Sequence, residues 1–314
     1  QEDLPSGDEA ATGLEALDDA VAALLAEAHK GAGGKAKAPA TASKPTINLY
    51  TAGKPATARV QGNYRLTQDE SHDVRHIILD LDGLTFPVLE GQSVGIMPPG
   101  TDAEGNPHLP RLYSVSSPRD GERPNYNNLS LTVKREEGGV ASNYLCDLDV
   151  GDEVHLTGPF GATFLIPDDP DARLLMICTG TGSAPMRAFT MRRQRTIGGK
   201  TGGMTMFFGA RTPDSLPYFG PLKKVPESLL VQHLVFSRQD GTAKEYVQDR
   251  MMAEEEAVAD LIQDPKCHVY ICGLRGMEDG VERAFTSISE SQGLQWVALR
   301  DTMREEGRYH VETY

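Results

Sequence analysis

The sequence predicts two folded units in tandem: a β barrel or sandwich, then an open parallel α/β sheet. The length of 314 residues is about twice the ~150 residues of a common domain. Short alternating apolar runs separated by turn residues fill residues 47–170, as in barrels and sandwiches. After residue 171 short apolar runs alternate with helical stretches, which is the pattern of an open parallel sheet.

The charge and the hydropathy exclude several classes of protein. The formal net charge is −14, and residues 1–30, with eight acidic side chains and one lysine, carry half of it. Nucleic acid needs a basic surface, so no nucleic-acid partner is expected. No apolar run approaches the ~18 residues of a membrane-spanning helix, so no membrane association is expected either.

The four cysteines form no C-x-x-C pair. Ferredoxin-type iron–sulfur clusters and four-cysteine zinc sites need that kind of spacing, so no metal site is predicted in this chain. Free thiols are typical of a reducing compartment, and the expected location is the cytoplasm.

Residues 1–46 are predicted to lie outside both units. They comprise an acidic tail, an amphipathic helix over residues 13–30, and a linker of Ala, Lys, Thr, Ser and Pro over residues 35–45. Apolar residues at helical spacing indicate the helix, and the composition indicates a flexible linker. Because the sequence opens on Gln1 rather than Met, we expect it to be a piece of a longer protein.

Each unit has its own series of predicted elements. In the first unit, residues 47–170, strands are predicted at 74–81, 93–97, 129–133 and 153–157. In the second unit, residues 171–314, strands are predicted at 174–178, 205–208, 230–236 and 269–272, and helices at 186–195, 243–252 and 277–292. Parallel strands are buried on both faces and give continuous apolar runs, as at 174–178.

A glycine-containing turn joins the first strand of the second unit to its first helix. It consists of Thr179, Gly180, Thr181 and Gly182. Glycines let a ligand approach the main chain, and a helix N-terminus offers unpaired N–H groups and a positive dipole end. The turn therefore suits a pyrophosphate, and a tight turn without a ligand is the alternative.

Two motifs in the first unit could contact a bound anion or ring. The run RLYS at 111–114 combines a guanidinium that can neutralise a diphosphate with a tyrosine ring that can stack on a cofactor. The run GVAS at 139–142 has small residues and a hydroxyl, which suit a helix start that presents N–H groups. Taken singly, a strand surface and a plain helix start explain these runs as well.

Polar residues also follow two strands of the second unit. The strand at 230–236 is followed by Ser237, Arg238, Lys244 and Tyr246. These groups suit a phosphate monoester on a ribose, with the phenol stacked on a base. Cys272 ends the strand at 269–272, at the edge where open α/β sheets bind ligands. A solvated charged loop and a packed cysteine are the alternatives.

The order of these motifs resembles that of the plant-type ferredoxin–NADP reductase superfamily from about residue 47 to Tyr314, 268 of 314 residues. The resemblance lies in RLYS at 111–114, Lys134, GVAS at 139–142, GTGSAPMR at 180–187, the cysteine region at 269–278 and the terminal VETY at 311–314. It implies an all-β antiparallel Greek-key barrel that binds FAD, followed by an α/β open parallel-sheet domain that binds NADP(H).

The resemblance also implies roles for individual residues. Tyr113 and Tyr314 would sandwich the flavin ring, and Ser114 would hydrogen-bond near its N5 atom. Cys272 would lie beside C4 of the nicotinamide, and Glu312 would help to position that ring. The implied catalytic residues are therefore Ser114, Cys272, Glu312 and Tyr314.

Further residues are implied in binding the cofactors. Contacts with FAD are implied for Arg111, Leu112, Tyr113, Ser114, Thr132, Val133, Lys134, Gly139, Val140, Ala141, Ser142 and Tyr314. Contacts with NADP are implied for Thr179, Gly180, Thr181, Gly182, Ala210, Arg211, Ser237, Arg238, Lys244, Tyr246, Gln248, Gly273 and Leu274. The charged group after residue 236 would select NADPH over NADH through charge-assisted hydrogen bonds to the extra phosphate. Where the family has an aromatic residue for the adenine of FAD, this chain has Glu136 and Glu137.

Within the superfamily the chain is most similar to the reductase components that serve benzoyl-CoA epoxidase. This predicts that electrons pass from NADPH through FAD to an iron–sulfur module preceding this chain, and on to an oxygenase in aerobic benzoate degradation. The alternatives are a standalone ferredoxin–NADP reductase, a flavin-free NADP dehydrogenase, and a non-catalytic adaptor that docks through the helix at 13–30. The series Arg187, Arg192, Arg193 and Arg195 is predicted to form a solvated helix face, and docking of an acidic electron carrier is the alternative.

Overall fold

The computed structural model describes residues 44–197 and 203–314. The predicted acidic tail, the helix at 13–30 and most of the linker lie outside the described residues. The predicted boundary between the two units, at residues 170 and 171, falls between the last strand of the first sheet and the first strand of the second.

The first sheet is antiparallel and has six strands. They are β1 (Ala56–Arg65), β2 (Val74–Asp80), β3 (Ser93–Met97), β4 (Arg111–Ser114), β5 (Asn128–Lys134) and β6 (Glu153–Phe160). Their order in the sheet is β4-β3-β6-β1-β2-β5. A bridge between Val115 and Leu131, and a 2.8 Å bond from the Ser116 N–H to the Ser130 carbonyl, join the two edges and close the barrel.

The strand order is that of a Greek key. β3 pairs with β4, β4 is joined to β5 by the closing bridge, and β5 returns to lie beside β2. β-Branched and leucine side chains, such as Ile77 and Leu79 on β2, fill the interior. The predicted antiparallel Greek-key barrel is confirmed, and the sandwich alternative is excluded.

A short helix, α1 (Val140–Asp147), closes one end of the barrel. Its Leu145 and Cys146 side chains join the barrel core. The Asn63 amide of β1 donates to the Leu145 and Leu148 carbonyls at 3.2 and 2.8 Å, which satisfies carbonyls that a helix end leaves unpaired. The C-terminal end of the helix is thereby attached to β1 of the barrel.

The second sheet is parallel and has five strands. They are β7 (Arg173–Thr179), β8 (Met204–Ala210), β9 (Leu230–Phe236), β10 (Cys267–Gly273) and β11 (Tyr309–Thr313), in the order β11-β10-β7-β8-β9. The helices are α2 (Ser183–Ile197), α3 (Phe219–Lys223), α4 (Val247–Ala253), α5 (Glu255–Gln263), α6 (Arg275–Ser291) and α7 (Trp296–Glu305). This confirms the predicted open α/β sheet.

Both faces of the parallel sheet are covered. On β7, Leu175 and Ile177 pack against the side formed by α4 to α7, whereas Leu174 and Met176 pack against the side formed by α2. Strands with two buried faces need apolar residues at every position, which explains the continuous apolar run in the sequence.

Some predicted boundaries differ from the structure. The helix predicted at 243–252 begins at Val247, because the Asp249 carboxylate accepts the Tyr246 N–H at 2.9 Å and caps the helix start there. β1, α3, α5, α7 and β11 were not among the predicted elements. Within the described residues, every helix is too short or too polar to cross a bilayer.

The prediction of a solvated arginine face on α2 is wrong. Arg193 is 2% exposed and donates to the Pro170 carbonyl at 3.0 Å. Arg187, Arg192 and Arg195 point toward the barrel and pair with its carboxylates. A guanidinium reaches far enough to make such pairs across a domain boundary, and the sequence alone does not show which carboxylates lie opposite.

Candidate functional site

The RLYS run forms β4, an edge strand of the barrel sheet, and the chain meets the second unit just beyond it, where Arg187 of α2 donates to the Ser116 carbonyl. Tyr113 packs partly against the barrel core, and burial raises the pKa of its phenol to about 12. Ser114 is partly buried, whereas Arg111 and Leu112 are exposed. Among the described residues, no side chain hydrogen-bonds the Ser114 hydroxyl and no carboxylate pairs with Arg111. Both groups are therefore available to a ligand.

Two predicted FAD residues on β5 direct their side chains away from any ligand. Val133 is fully buried in the barrel core. The Thr132 hydroxyl lies 2.7 Å from the hydroxyl of Tyr218, a residue of the second unit. A contact of either residue with FAD would therefore have to use the main chain.

The start of α1 presents main-chain N–H groups. Its N-cap is Gly139, which provides no side-chain cap, and Gly138 has φ +70° with open space where a Cβ would be. The Ser142 hydroxyl accepts the Glu136 N–H at 3.2 Å, while Ala141 is buried and Val140 exposed. The uncapped helix start can accept an anion.

The predicted lysine of this region already has a partner. The Lys134 ammonium lies 2.7 Å from the Glu136 carboxylate. Glu136 belongs to the acidic pair that follows β5 in place of an aromatic residue. This ion pair reduces the positive charge that Lys134 can offer to a diphosphate.

The predicted glycine turn forms a 3-10 turn, Gly180–Gly182, at the carboxyl end of β7. A Cβ on Gly182 would lie 2.1 Å from the Cys272 carbonyl oxygen, so the turn touches the end of β10. Gly180 has φ +53° and no atom within 4 Å of its Cβ position, which leaves its main chain open to approach. The Leu274 N–H donates to Thr179 Oγ1 at 3.5 Å.

Cys272 and Glu312 lie side by side on β10 and β11. Burial raises the pKa of the Cys272 thiol to about 12 and that of the Glu312 carboxyl to about 7. The thiol is therefore neutral at pH 7, and the carboxyl can gain or lose a proton there. We assigned no role to Cys178 from the sequence. It lies on β7, opposite Cys272 in the register of the two strands, and is a fully buried free thiol.

The terminal residue is held across the glycine turn. The Tyr314 N–H donates to the Gly273 carbonyl at 3.0 Å, and the Arg275 N–H donates to the Tyr314 carbonyl at 3.3 Å. The phenol oxygen lies 2.6 Å from Thr181 Oγ1. Tyr314 nevertheless remains 52% exposed, so it lies over the turn with much of its surface open.

A basic group lies at the carboxyl ends of β8 and β9. The Ser237 N–H donates to the Ala210 carbonyl at 3.1 Å, and the Arg238 N–H donates to the Arg211 carbonyl at 2.8 Å. The Lys244 ammonium lies 4.8 Å from the centre of the Tyr246 ring. No described carboxylate pairs with Arg211, Arg238 or Lys244, so these three cations are unneutralised.

Gln248 has a different place from that of the basic group. It lies on α4, and its amide would be 2.9 Å from a Cβ on Gly280 of α6. The end of the Gln248 side chain is flexible and can shift, so this approach does not by itself require a glycine at position 280. Gln248 is only partly buried, so its amide can also reach a ligand.

These features fit both cofactors that the motifs imply. A diphosphate needs N–H groups on open main chain, which the turn at Gly180 and the start of α1 provide. A phosphate monoester needs cations without partners, which the group around Arg238 provides. A planar ring needs an exposed aromatic face, and Tyr314 provides one.

Comparison with known proteins agrees with this geometry. Residues 65–164 match the family described as oxidoreductase FAD-binding domain, and residues 176–283 match the oxidoreductase NAD-binding domain. The ferredoxin–NADP reductase of Synechocystis sp. is 36% identical over 287 residues, covering 85% of this chain and 70% of that protein. That of Thermosynechococcus vestitus is 38% identical over 325 residues, covering 96% of this chain and 84% of that protein. The chain belongs to the ferredoxin–NADP reductase family.

A solved structure supports the assignment. The ferredoxin–NADP⁺ reductase of Plasmodium falciparum has a TM-score of 0.68 with this chain at 28% sequence identity, covering 85% of this chain and 99% of that one. The protein is thus an NADPH-dependent flavoprotein oxidoreductase that binds FAD and NADP(H). The alternatives of a flavin-free dehydrogenase and a non-catalytic adaptor are therefore wrong.

Proposed function

We propose that this reductase moves electrons between NADPH and a ferredoxin-type iron–sulfur protein, through FAD at the seam between barrel and sheet. The observation that carries the proposal is the anchored Tyr314, which lies beside Cys272 and Glu312 at the carboxyl edge of the sheet. The turn Gly180–Gly182 at the same edge contacts β5 of the barrel. Groups suited to each cofactor therefore meet at one place.

The residues at the seam have complementary roles in this proposal. Tyr113 and Tyr314 would hold the flavin ring by stacking on it, and the free Ser114 hydroxyl would hydrogen-bond near its N5 atom. FAD, when bound, accepts a hydride and releases electrons singly. Cys272 would stay uncharged beside the nicotinamide, and Glu312 would orient that ring and could hold a proton at its carboxylate.

The diphosphate of FAD would be held mainly by Arg111 and the start of α1. Arg111 is exposed and unpaired among the described residues, and the N–H groups after Gly139 have no side-chain cap. Lys134 contributes less, because Glu136 neutralises it. The loop between β5 and α1 contains no aromatic residue, so we propose that it does not stack on the adenine of FAD.

The unneutralised basic group would choose between NADPH and NADH. Arg238 and Lys244, with the Ser237 hydroxyl, provide charge-assisted hydrogen bonds that only the phosphorylated ribose can use. Tyr246 is 43% exposed and would stack on the adenine. NADH, which lacks that phosphate, would leave these cations in water.

The relatives support a ferredoxin as the partner. Those from Synechocystis and Thermosynechococcus are named ferredoxin–NADP reductases, which favours the standalone reductase over an oxygenase component. The narrower hypothesis, a reductase component of benzoyl-CoA epoxidase with an iron–sulfur module and an oxygenase as partners, rests on the resemblance of the sequence alone. A cytoplasmic location also stays a prediction.

The test is reduction of a ferredoxin by NADPH. We expect the purified flavoprotein to reduce cytochrome c rapidly with NADPH only when a plant-type [2Fe–2S] ferredoxin is added. With NADH the ferredoxin-dependent rate should be much lower. Reduction of ferricyanide without any ferredoxin-dependent rate would contradict the proposed partner while leaving the NADPH–FAD chemistry intact.

A second assay separates the two hypotheses on the acceptor. With an iron–sulfur protein present as the electron carrier, addition of the epoxidase oxygenase and benzoyl-CoA should leave NADPH consumption unchanged if the chain is a standalone reductase. NADPH consumption coupled to benzoyl-CoA turnover would instead support the narrower hypothesis.

A further inference from the structure

A buried group of polar side chains joins the barrel to the parallel sheet. We name it the seam cluster and define it as Glu122 and His76 of the barrel with Arg187 and Tyr218 of the second unit. Glu122 is 8% exposed, His76 4% and Tyr218 5%. Buried polar groups of this kind need partners, and here each of the four finds at least one partner on the other side of the seam.

The pairing of Glu122 with Arg187 is bidentate. The two guanidinium nitrogens of Arg187 lie 2.5 and 3.2 Å from the two Glu122 carboxylate oxygens. His76 Nε2 lies 3.4 Å from the same carboxylate, and the Ser130 hydroxyl donates to it at 2.8 Å. Burial would raise the pKa of Glu122, but Arg187 and His76 hold it well below its ordinary value. The carboxylate is charged and firmly held.

Tyr218 completes the cluster. Its hydroxyl lies 2.9 Å from His76 Nδ1 and 2.7 Å from the Thr132 hydroxyl, and its ring lies 5.1 Å from the Arg187 guanidinium carbon. Tyr218 has φ +62°, an unusual conformation for a bulky residue. The backbone adopts it where the side chain reaches across the seam.

The cluster lies between the two halves of the active site. Besides Glu122, Arg187 binds the Ser116 carbonyl at 2.9 Å, only two residues beyond Ser114 at the tip of β4. On its own side, Arg187 is five residues beyond Gly182 on α2, about 7.5 Å of helix rise. One guanidinium, that of Arg187, therefore connects the two elements. It binds the Ser116 carbonyl just beyond β4, and it lies just beyond the Gly180–Gly182 turn.

Neighbouring contacts strengthen the same joint. Arg195, two turns further along α2, donates to the Asp120 carboxylate at 2.8 Å and to the Gly121 carbonyl at 2.7 Å. Arg192 lies 3.9 Å from Glu90, a fully buried carboxylate that also binds Arg119. The loop that follows β4 is thus attached to α2 at several points.

We propose that Glu122 and Arg187 are positioning residues for hydride transfer, which fix the separation between β4 and the Gly180–Gly182 turn and hence between flavin and nicotinamide. The proposal rests on the FAD and NADPH chemistry of the family. Neither residue touches the reacting atoms. Hydride transfer is steep in distance and alignment, and a misplacement of about 1 Å can lower a rate by about 10²-fold.

The decisive variant is Arg187→Met. It keeps most of the side-chain length and removes the guanidinium group that binds Glu122. We expect it to retain FAD and to bind NADP⁺ with an affinity within about threefold of wild type. The single-turnover rate of flavin reduction by NADPH should fall at least tenfold, and the long-wavelength charge-transfer absorbance of the NADPH–enzyme complex should fall with it. The Michaelis constant for NADPH should change little.

Arg193→Met is the matched control. Arg193 is a buried guanidinium on the same helix, but its bonds go to the Pro170 and Asp169 carbonyls rather than into the barrel. We expect its charge-transfer absorbance and flavin reduction rate to stay within about twofold of wild type, even if the thermal midpoint falls. Equal loss of both readouts in the two variants would show a merely structural role and overturn the proposal.

Two further variants keep the proposal testable if Arg187→Met does not fold. Arg187→Lys keeps the charge and loses the bidentate geometry, so its flavin reduction rate should fall about three- to tenfold. Glu122→Gln keeps the shape and loses the charge, and should behave similarly. Wild-type rates and charge-transfer absorbance in both folded variants would also overturn the proposal.

Discussion

At Glu312, the surroundings rather than the residue type set the protonation. The carboxyl lies beside Cys272 in the β10–β11 register, and burial raises its pKa from 4.5 to about 7. The folded protein therefore binds this proton more tightly than the unfolded chain. The stabilising contribution is complete below pH 4.5 and is lost as the pH rises toward 7.

Glu312→Gln should therefore make the free energy of unfolding less dependent on pH. The neutral amide avoids ionisation in a partly buried place, so the variant should gain up to about 3 kcal/mol on wild type at pH 8 and almost nothing at pH 4. Denaturant unfolding at several pH values measures the difference. Glu290→Gln, at an exposed position on α6, is the control, and identical pH slopes in all three proteins would contradict the assignment.

A second prediction for a single residue concerns Arg238 and the proposed preference for NADPH over NADH. Its guanidinium has no carboxylate partner among the described residues, so a ligand phosphate would be its main partner. Arg238→Ala should raise the Michaelis constant for NADPH by the ~1.5–3 kcal/mol of a hydrogen bond to a charged group, with little change in kcat. Steady-state kinetics with NADH, whose constants should not move, provide the control. An unchanged Michaelis constant for NADPH would show that Arg238 does not bind the 2′-phosphate.

At the scale of elements, the Gly180–Gly182 turn packs so closely against β10 that no further atom fits between them. A Cβ on Gly182 would lie 2.1 Å from the Cys272 carbonyl oxygen, a main-chain atom that cannot move aside. Gly182→Ala should therefore cost about 1–3 kcal/mol of stability, as overpacking usually does. It should also weaken NADP⁺ binding, because the turn must shift.

Gly276→Ala is the control for this substitution. Gly276 lies in the first turn of α6 with nothing within 4 Å of its Cβ position, so alanine should be neutral or stabilising by up to about 1 kcal/mol. Thermal unfolding and NADP⁺ titration of the two variants give the comparison. Equal stability of both would contradict the close contact of the turn with β10.

Tyr314, at the end of β11, tests the nicotinamide site. In our proposal its ring occupies the place that nicotinamide needs, so Tyr314→Ser should raise kcat/KM for NADH relative to NADPH. Thr181→Val removes only the partner of the phenol, 2.6 Å away, and should give a smaller change in the same direction. If the NADH constants of both variants match wild type, the ring does not block the site.

Elements with strong periodic patterns were predictable from the sequence. β3 and β9 have the predicted bounds, and β7 differs by one residue at each end, because apolar side chains define strands with buried faces. β11 is a short edge strand in which only Tyr309 is buried, so it has no such pattern. Its Glu312 and Tyr314 were found through the family resemblance instead.

Contacts between distant residues were not predictable. The arginines of α2 have the composition of a solvated face, and only the fold shows that Glu90, Asp120 and Glu122 lie opposite them. Likewise, Thr132 looked like a cofactor residue, although its hydroxyl binds Tyr218, 86 positions further along the chain. Residue type and spacing predict what a side chain can do, and tertiary structure selects its partner.

On the scale of the whole molecule, the function that we propose depends on two folded units meeting along one seam. The barrel contributes β4 and the start of α1, and the parallel sheet contributes the glycine turn, Cys272 and the terminal strand. In our proposal, neither unit alone would hold both reacting rings. The family match across both units, at residues 65–164 and 176–283, is consistent with this division.

The most direct test mixes the purified protein anaerobically with NADPH or NADH and follows its visible spectrum. We predict a yellow protein whose flavin absorbance bleaches rapidly with NADPH and far more slowly with NADH, because both cofactors meet at the seam and only NADPH engages the basic group. A flavin that stays oxidised in the presence of NADPH, or that is reduced equally fast by NADH, would contradict the account.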